Sequence, residues 1–363
     1  MEKVKLIEIC TPKQWKTLAT SELKANGKYL VYGANGVIGY YDNYNHEKET
    51  VLITCRGATC GNVHISREKS YINGNAMALD NLNEQVCLKE YLYYFLKQYD
   101  MKKVISGSAQ PQITVQSLKN IDVKITDVET QTKIVKELNI IQQIIDIRKK
   151  QIEDLRELIK AKFVHMIQCD KYDKKCLNDI SEIKGEYGSG ASAREYIEGQ
   201  PRYVRITDIQ EDGRLNYNNM ASPKNENNLE KYTLGYGDIL FARTGATVGK
   251  TYKYSENDGF CIYAGYCIRF RLDLEKANPD YIFSFTKTEE YKKWVENKQR
   301  IVAQPNINAK EYGNDLLIPI PPIELQNQFA EFVNLINKHI DKIQKSLEEM
   351  QKLQESLMNK YFN

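Results

Sequence analysis

No stretch of the 363-residue chain approaches the roughly 18 consecutive apolar residues that a membrane helix needs. The opening Met1-Glu2-Lys3-Val4-Lys5 leads into no apolar signal segment. Neither a membrane span nor secretion is expected, and the cytoplasm is the expected compartment. Eight cysteines, at 10, 55, 60, 87, 169, 176, 261 and 267, form no Cys-x-x-Cys pair. The four histidines, at 46, 64, 165 and 339, keep no ligand spacing relative to them. That pattern speaks against zinc and points to buried, reduced thiols. A net charge of only +3 rules out a polycation but permits local basic faces. There is no Asn-Pro-Pro-Tyr or Asp-Pro-Pro-Tyr segment of the amino-methyltransferase type and no glycine-rich nucleotide turn after a strand. No Ser/His/Asp or Cys/His set stands out. The chain is expected to catalyse nothing itself.

Two segments imitate chemistry without its spacing. Gly245-Ala246-Thr247-Val248-Gly249-Lys250-Thr251 has three residues between its glycines, where a phosphate-cradling loop needs four. Glu182-Ile183-Lys184 with Asp170 upstream imitates a nuclease carboxylate-and-lysine set. The corresponding Glu8-Ile9-Cys10 lacks the lysine, and chance explains the match.

What the chain does contain is itself, twice. Gly57-Ala58-Thr59-Cys60-Gly61 returns 188 residues later as Gly245-Ala246-Thr247-Val248-Gly249. Tyr91-Leu92-Tyr93 returns 190 later as Tyr281-Ile282-Phe283, and Ala109-Gln110-Pro111-Gln112-Ile113 returns 194 later as Ala303-Gln304-Pro305-Asn306-Ile307. An offset that grows in chain order describes two copies of one module separated by loop insertions.

Each copy ends in a narrow apolar seam. Ile134, Leu138, Ile141, Ile145, Ile152, Leu155 and Ile159 step by fours and threes, with Arg148 as the interruption. Phe329, Val333, Ile336, Ile340, Ile343, Leu347, Met350 and Leu357 do the same, with Gln354 as the interruption. This is the a/d pattern of a coiled coil, and the seams correspond at an offset of 195. The first helix is expected to start near Val128, capped by Asp127. The second follows the rigid Pro319-Ile320-Pro321-Pro322. Connectivity favours an antiparallel pair, with the chain ends close together and the modules inverted at opposite ends of the rod.

Each module reads as α/β with many short strands. Tyr29–Tyr32 and Val37–Tyr41 flank an Asn-Gly turn, and Tyr203–Ile206 with Arg214–Tyr217 flank an Asp-Gly turn. Val51–Thr54 and Asp238–Phe241 read as buried strands feeding the glycine loops. Glu90–Gln98 and Asp280–Thr286 read as helices with aromatic inner faces. The 25 tyrosines suit either recognition surfaces or β-rich cores.

The repeated loops supply the candidate contacts with DNA. Arg56 and Thr59 in the first copy, and Arg243, Thr244, Thr247 and Lys250 in the second, place donors beside glycines that let a backbone approach. Gln110, and Arg300, Gln304 and Asn306, occupy the second repeated loop, where a glutamine can bond adenine or tie down its own loop. The hairpin residues Tyr29, Tyr32 and Asn35, and Arg202, Tyr203 and Arg205, differ between copies, as two heads reading different sequences require.

The GATxG loop after a strand, the Ala-Gln-Pro-x-Ile segment and the Ile318-Pro319-Ile320-Pro321-Pro322 lead-in to Glu324-Leu325-Gln326 occur in order, and the lead-in has a weaker echo, without prolines, at Val128-Glu129-Thr130-Gln131. Over essentially the whole chain this resembles the specificity subunit of type I restriction-modification systems. The resemblance implies a duplicated α/β (α+β) fold. Target-recognition domains would occupy 1–127 and 166–321, and coiled-coil spacer helices 128–165 and 322–363, antiparallel and pseudo-twofold symmetric. It further implies a non-catalytic subunit whose two domains each read half of a bipartite, asymmetric site on double-stranded DNA. Its helices would set the gap and dock two adenine-N6 methyltransferase subunits, with motor-endonuclease subunits joining for restriction. S-adenosylmethionine, ATP and Mg²⁺ would sit on those partners and no cofactor on this chain. A specificity subunit of a methylation-only or related restriction system, or a duplicated coiled-coil scaffold, are the alternatives.

Overall fold

The structure, a computed structural model, describes residues 2–34, 36–107, 110–167, 172–225, 227–299 and 305–363. They divide into two compact units. The first comprises Met1–Lys149 with Lys345–Asn363, and the second Lys150–Gln344. Each unit therefore holds one module, the start of that module's own long helix and the end of the other long helix.

The units share their main sheets. In the first, a four-stranded sheet runs in the order Thr11–Gln14, Ala76–Asp80, Val51–Thr54, Val63–Ile65. In the second, the same order is Ser181–Tyr187, Cys267–Leu272, Asp238–Ala242, Thr251–Lys253. A separate antiparallel ladder joins Glu2–Lys5 to Asp122–Ile125, and its counterpart joins Lys174–Cys176 to Leu317–Pro319. Tyr29–Gly33 pairs in parallel with Tyr71–Ile72, as Arg202–Val204 does with Cys261–Tyr263. The central strands Val51–Thr54 and Asp238–Ala242 are buried throughout, which is why Val51-Leu52-Ile53 and Ile239-Leu240-Phe241-Ala242 read as apolar runs.

The first module's hairpin forms as expected, Tyr29–Gly33 against Gly36–Tyr41. The second module's does not. Its strand stops at Val204, and across the Asp212-Gly213 turn only Ile209 and Leu215 bridge. The reason is Asp208. Its carboxylate accepts from the Arg205 backbone N–H at 2.9 Å and from the guanidinium at 2.7 and 3.0 Å, turning the chain where the strand would have continued.

The two long helices span Val128–Ile167 and Ile323–Phe362. Asp127 caps the first, accepting from the Thr130 N–H at 2.8 Å. That amide, with the Thr130 hydroxyl, holds the Asp127 carboxyl below its ordinary pKa. In the first unit the helices run antiparallel, for Glu137 meets Tyr361 while Gln142 meets Gln354. In the second, Phe163 near the end of one helix packs on Phe329 near the start of the other, ring centroids 5.4 Å apart. Seam positions Ile134, Leu138, Ile141, Ile145 and Leu347 are buried in the first unit, and Ile152, Phe329, Val333, Ile336 and Ile340 in the second. Leu155 and Ile343 are half-buried.

Each seam merges with its module's core. The aromatic helix Lys89–Gln98 turns Tyr91 and Phe95 onto Phe362, at 5.2 and 6.1 Å. The helix Pro279–Phe285 turns Tyr281 onto Phe163 at 5.1 Å. Each fully buried aromatic or leucine of this kind contributes about 1.5–3 kcal/mol. The helix ends are thus part of the globular cores rather than appendages to them.

Candidate nucleic-acid interface

The strand Val51–Thr54 and its counterpart Asp238–Ala242 each deliver the chain into a loop of the same geometry. In the first, Cys60 N–H bonds Gly57 O at 3.0 Å, Gly61 N–H bonds Thr54 O at 2.8 Å, and Asn62 N–H bonds Thr59 O at 3.0 Å. In the second, Val248 bonds Gly245 at 3.2 Å, Gly249 bonds Ala242 at 3.1 Å, and Lys250 bonds Thr247 at 3.0 Å. Gly57 and Gly245 have φ of +89° and +67°, a region that disfavours any side chain. A Cβ at either would meet nothing within 4 Å, so these glycines front open space rather than fill a crowded one. An external backbone or phosphate has room to approach there.

The second repeated motif lies alongside the first. Ile113 N–H bonds Cys55 O at 3.0 Å, and Ile307 N–H bonds Arg243 O at 2.9 Å. Bridges join Arg56 to Gln112 and Thr244 to Asn306. Two loops that the sequence offers separately form one surface in each unit.

In the first unit that surface presents Arg56 and Gln110, both exposed. Thr59 donates its hydroxyl to Ala34 O at 2.8 Å, and Thr54 does the same, tying the hairpin turn to the glycine loop. Asn35, at the tip of that turn, lies outside the described residues. Tyr29 is half-buried, edge-on to Tyr44 at 4.9 Å. Tyr32 is buried, its hydroxyl accepting from the Arg67 N–H at 3.1 Å.

In the second unit Arg243 lies over the Tyr187 ring at 4.8 Å, and its Nε donates to Asn306 Oδ1 at 3.4 Å. Tyr187 and Tyr266 are 40% and 61% exposed; the Tyr187 ring lies against the guanidinium, and the Arg243 backbone N–H bonds Tyr266 O at 3.1 Å. Nothing in the sequence distinguished these two among 25 tyrosines. Thr247 donates to Thr244 O at 3.0 Å and shapes its own loop, while Lys250 pairs with Glu211 at 2.8 Å. Arg300 and Gln304 lie outside the described residues.

The hydrogen bonds shared by the two copies keep the 188-residue offset, aligning Arg243 with buried Cys55 and Arg56 with Thr244. The second module's hairpin residues depart from the expected DNA contacts. The set Arg202, Tyr203 and Arg205 is committed to internal contacts. Arg202 is buried, donates to Asn216 O at 2.7 Å and covers the Tyr217 ring. Tyr203 is buried and donates to Ser189 O at 2.7 Å and to Ala191 O at 2.9 Å. Arg205 is occupied by Asp208. Parallel pairing with Cys261–Tyr263 draws this strand into the core.

Cys10, Cys87 and Cys261 are buried, and burial pushes each thiol up to about 12, so they behave as small apolar side chains. Among the described residues no helix is long and apolar enough to cross a membrane.

A further repeated feature connects each module to its helix. Gln131 and Gln326 lie in the first turns of the two long helices and have no exposed surface. Gln131 Nε2 donates to Val86 O and Thr126 O, both at 2.8 Å, and its Oε1 accepts from the Leu88 N–H at 2.9 Å. Gln326 Nε2 donates to Lys276 O at 3.1 Å and Pro321 O at 2.8 Å, and its Oε1 accepts from the Asn278 N–H at 2.9 Å. The sequence contained the signal, since both glutamines sit in the lead-in segments that echo at the seam offset.

Comparison with known proteins places these features in a family. The type I restriction modification DNA specificity domain matches residues 1–157 and again 170–352. The type I restriction enzyme MjaVIII specificity subunit of Methanocaldococcus jannaschii is 24% identical over 331 residues, 85% of this chain and 77% of that one. A putative type I restriction enzyme specificity subunit of Haemophilus influenzae is 24% identical over 362 residues, 92% of this chain and 87% of its own. The crystal structure of a type I restriction-modification S subunit from M. genitalium superposes with a TM-score of 0.65 at 16% identity, covering 100% of this chain and 96% of that one. A chain from a structural study of type I complex assembly and conformational transition gives 0.54 at 14% identity, covering 100% and 97%. With both halves matched, the chain belongs to the type I restriction-modification DNA specificity family, and its duplicated α/β fold is that of the S subunits.

Proposed function

We propose that each unit reads one half of a bipartite, asymmetric site on double-stranded DNA, and that the two long helices set the gap between the halves. One observation carries this reading: the glycine loop, with its neighbouring Gln-Pro or Pro-Asn segment, recurs with the same hydrogen bonds while its exposed side chains differ. A shared backbone platform with Arg56 and Gln110 on one copy, and Arg243, Tyr187 and Tyr266 on the other, is what two heads for two half-sites require. Phosphates would meet the open fronts of Gly57 and Gly245 and the arginines beside them, and base edges the other differing side chains.

The helices also dock the catalytic partners. In the first unit Ile140 and Ile147 are 48% and 56% exposed on the face away from the seam, an apolar stripe fit for an adenine-N6 methyltransferase subunit. Two such subunits would bind S-adenosylmethionine. A motor-endonuclease subunit would bring ATP and Mg²⁺, leaving this chain non-catalytic. Methylome sequencing of cells with and without the gene tests the reading. Loss of one split adenine motif is expected; loss of a continuous motif, or of none, counts against it.

A further inference from the structure

The two buried glutamines carry an inference that rests on this reading and deepens it. A glutamine amide offers two donors and an acceptor. In each unit those three reach the carbonyl ending the lead-in, a carbonyl beside the aromatic helix, and the N–H at that helix's start. The three points surround the first turn of the long helix, so the side chain resists rotation of the module about that helix. Interdigitated packing already holds the module on its helix, and the three directional bonds set the angle at which it is held. The two clamps agree bond for bond although Leu88 and Asn278, and Thr126 and Pro321, are chemically unlike.

We propose that Gln131 and Gln326 are positioning residues that fix how each recognition module is rotated about its own long helix, and thereby the base-pair gap the chain accepts. The tolerance is tight. Successive base pairs of B-DNA are rotated by about 34°, so a module free to swing by that angle can no longer distinguish neighbouring gap lengths.

The test uses the full chain and duplexes carrying both half-sites, with the gap of the native motif or one base pair more or less. Four variants are compared with the wild type: Gln131→Ala, Gln326→Ala, Gln131→Glu and Gln326→Glu. Wild-type chain should favour the native gap by about tenfold, the scale of one mismatched base pair, and each variant by about twofold, with half-site preference unchanged. Hydrogen exchange supplies the independent readout. The alanine variants should expose the Leu88 or Asn278 amide, whereas glutamate keeps the acceptor and protects that amide while losing both donors. A glutamate variant with its amide protected and its gap preference lost is a result that general destabilisation would not give. It also carries the test where an alanine variant fails to fold. Variants that keep the wild-type gap preference overturn the assignment alone. Wild-type chain with no gap preference overturns the split-site reading itself, and the assignment with it.

Discussion

Gln354 donates its amide to Gln142 Oε1 at 3.0 Å, joining the two long helices across the first unit. The bond sits where the apolar seam is interrupted, with Ile141, Ile145 and Met358 buried nearby. A polar pair in such a seam costs stability relative to apolar packing and in return selects one register, since any slip leaves both amides unpaired. Replacing both partners together, Gln142→Leu with Gln354→Leu, should therefore raise the unfolding free energy by about 1 kcal/mol. Urea titration at constant m-value reads this directly. A lower midpoint would show instead that the amide bond is a net source of stability.

That interruption was visible in the sequence, as was most of what depends on local periodicity. The seam residues from Ile134 to Ile145 and from Phe329 to Ile340 were legible because steps of three and four put one face of a helix against an apolar partner. The glycine loops were legible because a positive φ leaves a glycine where it is required. Arg202 and Tyr203 were misjudged because their burial depends on pairing with Cys261–Tyr263, nearly sixty residues away, which no local pattern encodes.

Lys287 gives a pH test that needs no DNA. In the second unit its Nζ donates to Thr251 Oγ1 at 3.0 Å and lies over the Phe283 ring, at a groove of about 660 Å³ lined also by Val295 and Val333. Burial pushes the amine down from 10.5 to about 8, against the opposing pull of Asp212 and Glu211. A depressed lysine releases its proton first in the folded state. Between about pH 8 and 10.5 the unfolded chain therefore binds more protons, and stability rises with pH across that window. Below it the full cost of burying the charge is present. Relative to Lys287→Met, the wild type should gain about 1–3 kcal/mol from pH 7 to 10. Parallel denaturation curves for the two proteins would remove the argument.

Arg56 and Arg243 make the proposed interface measurable through salt. Arg56 is exposed beside the open front of Gly57, and Arg243 is held by Tyr187 and Asn306 beside Gly245. Either arginine contacting a phosphate adds about one unit to the slope of log affinity against log salt concentration. Arg56→Ala and Arg243→Ala should each lower that slope by about one and weaken binding evenly across sequences. A variant that keeps the slope but relaxes one base of the motif would move its arginine from the phosphates to the bases. A chain whose binding is insensitive to salt and lacks a two-part footprint would support the scaffold alternative.

Replacing residues 166–321 with the corresponding segment of another family member should change one half of the methylated motif and leave the other half and the gap intact. The exchange is feasible because the ladder of Lys174–Cys176 with Leu317–Pro319 lies wholly inside the transferred segment. Several contacts cross its borders, the ion pairs of Arg156 with Asp212 and of Arg214 with Asp341 among them, and three matter most to the core. Phe163 packs on Tyr281, Gln326 Nε2 bonds Lys276 O, and Gln326 Oε1 accepts from the Asn278 N–H. The donor segment must supply an aromatic residue at the first and an unstrained backbone at the others, or the chimaera loses its core before it changes its target. Given those contacts, the first unit is untouched, and its half of the motif should persist. A chimaera that folds but alters both halves would mean that the two modules do not read independently.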